Sequence, residues 1–98
     1  MELSFSAKLW VYSGENPWHF ITLPKKIANE VSDGAHLRPR RGFGSIRVNV
    51  RLGSSNWRTS IFPDSTSGSY FLPIKKSIRV KEKLSEGDSL KIKLELLE

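Results

Sequence analysis

One pattern occurs twice in this sequence and constrains the fold more than any other feature. A strand-like run meets a proline, lysines and an isoleucine continue as a short helix, and a glycine turn follows. The first copy spans Phe20–Ile27 and reaches Asp33-Gly34, and the second spans Tyr70–Arg79 and reaches Gly87-Asp88. Proline is favoured in the first turn of a helix, and glycine is favoured where a helix ends. The repetition predicts two copies of one small structural unit.

Around this pattern, alternating apolar residues indicate further β-strands. The first segment places Leu3, Phe5, Ala7, Leu9 and Val11 on one face, which is the period expected of a half-buried strand. A proline at position 63 is expected to end one strand, and Asp33-Gly34 is expected to end the first helix. The predicted elements are strands at residues 3–11, 18–23, 46–52, 56–62, 70–74 and 90–96, and helices from Pro24 to Asp33 and from Lys75 to Leu84.

The predicted order is strand, strand, helix, strand, given twice with a join near Gly53. Neither half, about 1–53 and 54–98, has enough apolar surface to stand alone. We therefore expect residues 1–98 to form one mainly-β domain, a pseudo-symmetric six-stranded barrel with two short capping helices. A barrel of this size is filled by its own side chains. This favours packing of Trp10, Trp18 and Trp57 in the core over a ligand cavity lined by them.

Composition limits the class of protein. The 98 residues include no cysteine, which excludes disulfides, thiolate nucleophiles and cysteine-ligated metals. The N-terminus does not read as a signal peptide, and no segment approaches the ~20 apolar residues of a membrane span. A cytoplasmic protein is expected. The formal net charge of +6 permits nucleic acid or acidic partners, although solubility alone accounts for a charge of this size.

A cluster of arginines is the candidate site for nucleic acid or another anion. Its residues are Arg38, Arg40, Arg41, Arg47, Arg51 and Arg58, with Trp57 beside them. Arg47 and Arg51 share the polar face of one predicted strand, and arginine with a nearby aromatic ring suits phosphate contact and base stacking. Trp57, however, is expected to face the opposite way from Arg58. The alternative, which the sequence favours, is a solvated face whose arginines pair with acidic residues.

The sequence shows no recognisable catalytic, cofactor or metal constellation. His19 and His36 are the only histidines, and their spacing is not that of paired metal ligands. Gly42-Phe43-Gly44 lacks the third glycine of a dinucleotide fingerprint and precedes a strand. No serine lies in a Gly-x-Ser-x-Gly turn. We therefore predict no catalytic residue, no metal and no cofactor.

A series of short motifs resembles a known family when they are taken in order. They are Trp18 with Leu23-Pro24, then residues 42–48, 59–63, 70–76, 78–79 and 87–90. Their order and spacing resemble the DUF1905 family of bacterial and archaeal proteins over nearly the whole chain. The resemblance implies a double-split β-barrel capped by helices and a prokaryotic origin, and it brings no established activity.

A looser similarity concerns mechanism. Leu72–Arg79 followed by Glu86–Leu90 is similar to the repeat of the swapped-hairpin regulators and antitoxins of the AbrB and MazE type. Those proteins build the barrel from two chains and bind DNA through basic residues. A single chain that supplies both halves loses the two-fold symmetry that matches a palindromic operator, which weakens the case for DNA recognition.

These observations leave three hypotheses of different classes. The first is a non-catalytic binding module for an unidentified small molecule or protein partner, acting as a monomer or weak homo-oligomer. The alternative is nucleic-acid binding through the arginine-rich strand face. The second alternative is a weak hydrolase or other enzyme, which would need a cleft that joins a histidine to a carboxylate.

Overall fold

A computed structural model describes residues 2–14, 17–35 and 44–97 of the chain. The fold is mainly β, and all strand pairs are antiparallel. The elements are β1 Glu2–Lys8, β2 Trp10–Tyr12, β3 Trp18–Thr22, α1 Lys25–Ala35, β4 Ile46–Leu52, β5 Ser55–Asp64, β6 Ser69–Pro73, α2 Lys76–Lys81 and β7 Ser89–Leu96. They form one curled sheet in the order β1-β7-β4-β5-β6-β3-β2.

The predicted closed barrel of six strands is wrong, because the described chain has seven strands in a curled sheet. The predicted strand at residues 3–11 is divided at Leu9. There the Leu9 N–H donates to the Asp88 carbonyl at 2.9 Å, and the Gly87 N–H donates to the Leu9 carbonyl at 2.8 Å. These bonds join Leu9 to the turn before β7. As a result β1 and β2 lie at the two edges of the strand order, although one residue separates them.

The hydrophobic core lies between the inner face of the sheet and the two helices. Alternation along β4 and β7 buries Val48, Val50 and Leu94 completely, as the sequence pattern predicts. Ile27 and Val31, four residues apart, present one face of α1 to this core. Each such side chain contributes roughly 1.5–3 kcal/mol on burial. The core therefore holds the sheet and helices in the arrangement that positions the outer face.

Three predicted boundaries differ from the structure. Pro63 lies inside β5, opposite Tyr70, and does not end the strand. β4 pairs with β5 only as far as Ile61, so Pro63 has a neighbouring strand on one side alone, and its missing N–H leaves no ladder bond unmade on the other side. Helix α1 continues through Gly34 to Ala35, and α2 ends at Lys81, three residues before the predicted Leu84.

Helix α1 begins directly after Pro24, whereas Pro73 is the last residue of β6 and α2 begins three residues later, at Lys76. The Ala28 N–H donates to the Pro24 carbonyl at 2.9 Å, which closes the first turn of α1. The Arg79 N–H donates to the Lys75 carbonyl at 3.1 Å at the start of α2. Helix α2 is followed by Lys83 in the left-handed conformation, with φ of 55°. Neither helix of the described ranges is long and apolar enough to cross a membrane.

Candidate ligand-binding face

The outer face of four neighbouring strands carries aromatic side chains where polar ones are usual. Buried residues such as Ile21 and Leu72 point into the core, so their neighbours along each strand point outward. The outward residues on β2, β3, β6 and the end of β5 include six aromatic rings. We call them the aromatic face: Trp10, Tyr12, Trp18, Phe20, Phe62 and Phe71.

Strand register brings these rings side by side. Trp10 lies opposite Phe20, Tyr12 opposite Trp18, and Phe62 opposite Phe71. The Phe20 and Phe71 rings meet edge to face at 4.8 Å between centroids, and Phe62 stacks on Phe71 at 5.5 Å. Trp10 and Trp18 lie 5.1 and 6.3 Å from Phe20. The rings therefore form one contiguous apolar surface.

An open groove of about 680 Å³ runs over this surface. Tyr12 and Trp18 are each 59% exposed and Phe62 is 37% exposed, so the rings are accessible to a ligand. A volume of this size falls in the range of sites for small molecules, roughly 300–1,000 Å³. Contiguous apolar surface left in water marks an interaction site more often than a single exposed side chain does.

Hydrogen bonds hold the edges of the groove in place. The Trp10 indole Nε1–H donates to the Thr22 hydroxyl at 2.9 Å, which fixes the tilt of that ring. At the other end, the Asp64 carboxylate accepts from the Thr66 N–H at 3.0 Å and from the Ser67 hydroxyl at 2.9 Å. Among the described residues that line the groove, Asp64 carries the one carboxylate, and this carboxylate is engaged in its own turn. A largely preformed site of this kind loses little entropy on binding.

A second concavity, of about 460 Å³, adjoins the groove at Trp18 and Pro73, which border both. We call it the basic cleft, because four cations line it: Arg58 from β5, Lys75 and Lys76 at the start of α2, and Arg79 from α2. His19 and the edge of Trp57 complete its wall. The described residues that line it include no carboxylate. The cleft can therefore attract an anion.

Arg79 is held in the cleft wall by neutral groups. Its Nε–H donates to the Ile74 carbonyl at 3.1 Å, and its Nη1 lies 3.3 Å from His19 Nε2. Since arginine has no acceptor, Nε2 accepts this bond and the ring proton of His19 lies on Nδ1. Burial, and secondly the Arg79 charge, lower the pKa of His19 below 6.5, while Glu86 acts in the opposite direction. His19 is therefore neutral at pH 7, and the Arg79 charge is not cancelled by it.

The structure places the predicted arginines in different locations. Arg47, Arg51 and Arg58 point outward from β4 and β5, and of these only Arg58 lines the basic cleft. Arg38, Arg40 and Arg41 lie outside the described residues, as does His36. Trp57 faces the core and is 9% exposed, with one edge at the basic cleft.

The expectation that all three tryptophans pack in the core is wrong for Trp10 and Trp18. Both belong to the aromatic face, and Trp18 is more than half exposed. The sequence carried a signal for this, because Trp10 and Tyr12 alternate out of phase with Leu9 and Val11. Aromatic residues at the solvent-facing positions of a strand indicate a binding surface. The contributions of Lys75, Lys76 and Arg79 from α2 were also missed by sequence reasoning.

The fold and this face define a small curled β-sheet domain with an aromatic groove and an adjoining basic cleft. Residues 5–94 match the family described as Domain of unknown function (DUF1905), so the chain belongs to this family and the resemblance seen in the sequence is confirmed. No curated protein matches the chain. In the described ranges, no group of three or more histidine, aspartate or glutamate side chains could hold a metal ion.

Proposed function

We propose that this protein is a non-catalytic binding module that holds a planar, largely apolar group on its aromatic face. The observation that carries the proposal is the groove of about 680 Å³ lined by six aromatic rings, with Tyr12 and Trp18 each 59% exposed. Stacking of a planar ligand on such rings stabilises a complex by roughly 1–3 kcal/mol per ring. Among the described residues that line the groove, the one carboxylate is that of Asp64, which is already hydrogen-bonded within its own turn.

The proposal is tested by NMR titration of the protein with two uncharged planar probes, adenosine and indole. Three tryptophans give three indole N–H signals, and the signals of Trp10 and Trp18 are expected to shift more than that of Trp57, which faces the core. Cyclohexanol, which is apolar but not planar, is the control probe and is expected to shift the Trp10 and Trp18 signals less. Equal shifts with cyclohexanol would count against stacking.

Two variants locate the probe. Trp18→Ala removes an exposed ring and is expected to weaken adenosine binding about tenfold, which corresponds to one stacking contact. Val80→Ala removes a side chain that is 67% exposed on α2 and does not line the groove, so it is expected to leave binding unchanged. Adenosine binding that survives Trp18→Ala at full strength would contradict the proposal.

A second candidate function is nucleic-acid binding through the outward arginines of β4 and β5. Arg47 lies opposite Ser60, and Arg51 lies between Asn56 and Lys93, so neither has an acidic neighbour directly across. Glu95 lies opposite Asn49 and is diagonal to both. This register favours arginine side chains whose charge is available to a ligand, over the predicted pairing of these arginines with acidic residues.

The second candidate is tested by fluorescence anisotropy with labelled mixed-sequence duplex and single-stranded DNA and RNA, at low and physiological salt. Phosphate contacts make binding weaken steeply with salt. Combined Arg47→Ala and Arg51→Ala substitutions are expected to reduce that slope. Lys26→Ala, which removes an exposed charge on α1, is the matched control. No binding at low salt would exclude this candidate.

A further inference from the structure

The basic cleft and the aromatic groove share a border, and this continuity limits what the ligand can be. Trp18 and Pro73 line both concavities. Trp18 has its ring stacked parallel to Phe20 on the groove side, with 6° between the ring planes. A ligand that covers Trp18 therefore reaches the mouth of the basic cleft without leaving the protein surface. Such a ligand meets aromatic rings at one end and cations at the other.

The charges of the basic cleft are unbalanced in the free protein. Lys76 and Arg79 are three residues apart on α2 and lie on one side of the helix, where like charges repel. Arg58 adds a third positive charge from β5. Glu86, in the loop before β7, raises the pKa of His19 but is not among the described residues that line the cleft. An anion bound among these cations would relieve the repulsion.

Arg79 is also prepared for an anion by its geometry. The Ile74 carbonyl and His19 Nε2 hold Nε and Nη1, at 3.1 and 3.3 Å. Within the described part of the chain, these bonds leave Nη2 and its two N–H groups for a ligand. A guanidinium fixed in this way matches the oxygen atoms of phosphate better than a freely moving lysine. The exposed Lys75 and Lys76 can supply further charge to the same group.

We propose that the ligand of this site is a nucleotide unit, whose base stacks on the aromatic face at Trp18 and whose phosphate binds in the basic cleft. This inference rests on the proposed function and names its ligand class. The unit can be a free nucleotide or part of a single strand, since both present a planar base joined to a phosphate. Duplex nucleic acid is a poor candidate for this site, because its bases are stacked on one another.

The test compares adenosine, AMP and inorganic phosphate at low salt by calorimetry, with NMR to locate them. AMP is expected to bind about tenfold or more tightly than adenosine, since charge-assisted hydrogen bonds form to the phosphate. Combined Lys75→Ala and Lys76→Ala substitutions, at exposed positions, are expected to remove most of this advantage and to leave adenosine binding unchanged. Arg79→Ala is a second variant that is also expected to remove most of this advantage. Lys26→Ala is the control and keeps the advantage.

The outcomes separate this inference from the proposed function. If adenosine shifts the Trp18 signal but AMP binds no more tightly, the nucleotide assignment is overturned and the proposed function stands. If neither adenosine nor indole shifts Trp10 or Trp18, both are overturned. If the AMP advantage survives in both cleft variants, the phosphate does not bind in the basic cleft and the inference fails.

Two further arms identify the source of the nucleotide. A single-stranded riboadenylate hexamer that binds more than tenfold tighter than AMP identifies a strand that covers several rings of the aromatic face. Equal affinity identifies a free nucleotide. A duplex that binds as tightly as the single strand would overturn the assignment.

Bound AMP is also expected to raise the pKa of His19, because its phosphate offsets the charge of Arg79.

Discussion

The contact between His19 and Arg79 connects β3 to α2 through Ile74, which lies in the segment between β6 and α2. The His19 carbonyl accepts a hydrogen bond from the Ile74 N–H at 2.9 Å, and the Ile74 carbonyl accepts one from Arg79 Nε–H. Arg79 Nη1 in turn donates to Nε2 of the His19 ring. The buried Nδ1 of His19 has no hydrogen-bond partner within the described residues. One closed set of bonds thus fixes the beginning of β3, the start of α2 and the orientation of a cation in the basic cleft.

This set of bonds predicts how the pKa of His19 responds to charge changes. Burial is the main cause that lowers the pKa, the Arg79 charge lowers it further, and Glu86 raises it. We therefore expect Arg79→Gln to raise the pKa of His19 and Glu86→Gln to lower it. Both are measured by NMR titration of the ring carbon-bound protons. Shifts of the same sign in the two variants would contradict the assigned electrostatics.

The same lowered pKa predicts a pH dependence of stability. The folded protein keeps His19 neutral, while the unfolded chain takes up a proton near pH 6.5. Protonation therefore favours the unfolded chain. The free energy of unfolding is expected to be retained above pH 6.5 and to decrease as the pH falls below it. Urea unfolding of the protein and of His19→Gln between pH 7.5 and 5 checks this, since the variant should lose part of the decrease.

The turn between β4 and β5 requires glycine at position 53. The φ of Gly53, +58°, is left-handed, and a Cβ there would overlap the Oε1 atom of Glu82. That carboxylate accepts hydrogen bonds from the Ser55 hydroxyl at 2.7 Å and the Ser54 hydroxyl at 3.0 Å, which lower the pKa of Glu82. The turn and the end of α2 are thereby joined.

The loss of stability caused by a substitution at Gly53 is therefore expected to depend on Glu82. Gly53→Ala should destabilise the protein by about 1–2 kcal/mol from backbone strain, and by more because Glu82 must move. In a Glu82→Ala background the loss should be smaller, as urea unfolding of the double-mutant cycle would show. Gly87→Ala is the control, because its φ is +90° and a Cβ would meet nothing within 4 Å. The stability lost on Gly87→Ala should be the same with Glu82 present and in the Glu82→Ala background.

At the scale of the elements, local patterns predicted the order of strands and helices, and the site depended on their packing. Alternation identified β4 and β7, Pro24 marked the start of α1, and Pro73 marked the end of β6, three residues before α2 begins. The division at Leu9 was not predictable, because it depends on bonds to Asp88 and Gly87, far along the chain. The pairing of Pro63 was missed for the same reason, since it depends on where β4 stops.

The candidate site was predicted less well than the fold. Arg58 and Trp57 were found by composition, and both reach the basic cleft. The partners from α2 were missed, because only the tertiary structure brings Arg79 next to His19, 60 positions earlier in the chain. The sequence interpretation places Trp18 in the core because a six-stranded barrel is filled by its own side chains. Whether a large ring is buried or exposed depends on which face of its strand it occupies, and on β3 the buried Ile21 leaves Trp18 and Phe20 on the outer face.

Helix α2 is short, and its packing should control the basic cleft. A helix of six residues is marginal on its own, so its position depends on Ile78, which is 7% exposed in the core. Ile78→Ala is expected to destabilise the protein by about 2–4 kcal/mol. Val80→Ala, in the same helix but 67% exposed, should change stability by less than about 0.5 kcal/mol. Urea unfolding that shows equal losses would contradict this packing.

At the scale of the whole molecule, the sheet is held together mainly by pairs between the two halves of the chain. With a division after Gly53, the pairs β1–β7, β4–β7, β4–β5 and β3–β6 each join one half to the other. Among the strands of the described ranges, only β2–β3 and β5–β6 pair within a half. The aromatic face has the same origin, because Phe20 belongs to one half and Phe71, which it contacts, belongs to the other.

This pairing predicts that the halves depend on each other for folding. Peptides 1–53 and 54–98 are each expected to be unfolded alone, because an isolated two-stranded hairpin is at best marginally stable in water. Their equimolar mixture is expected to recover the dispersed NMR spectrum of the intact chain, with the Trp18 signal included. Because a break after Gly53 cuts a turn and spares every strand, it leaves all ladders able to form.

The intact chain is the positive control, and a mixture in which 54–98 carries Leu94→Lys is the matched negative one. Leu94 is fully buried on β7 and lies opposite both Leu3 and Val50 of the first half. A lysine there would place an unpaired charge in the core between the halves, so association is expected to fail. A peptide 54–98 that folds alone would show that the pairs within one half are sufficient, and that the aromatic groove is formed by two independently stable parts.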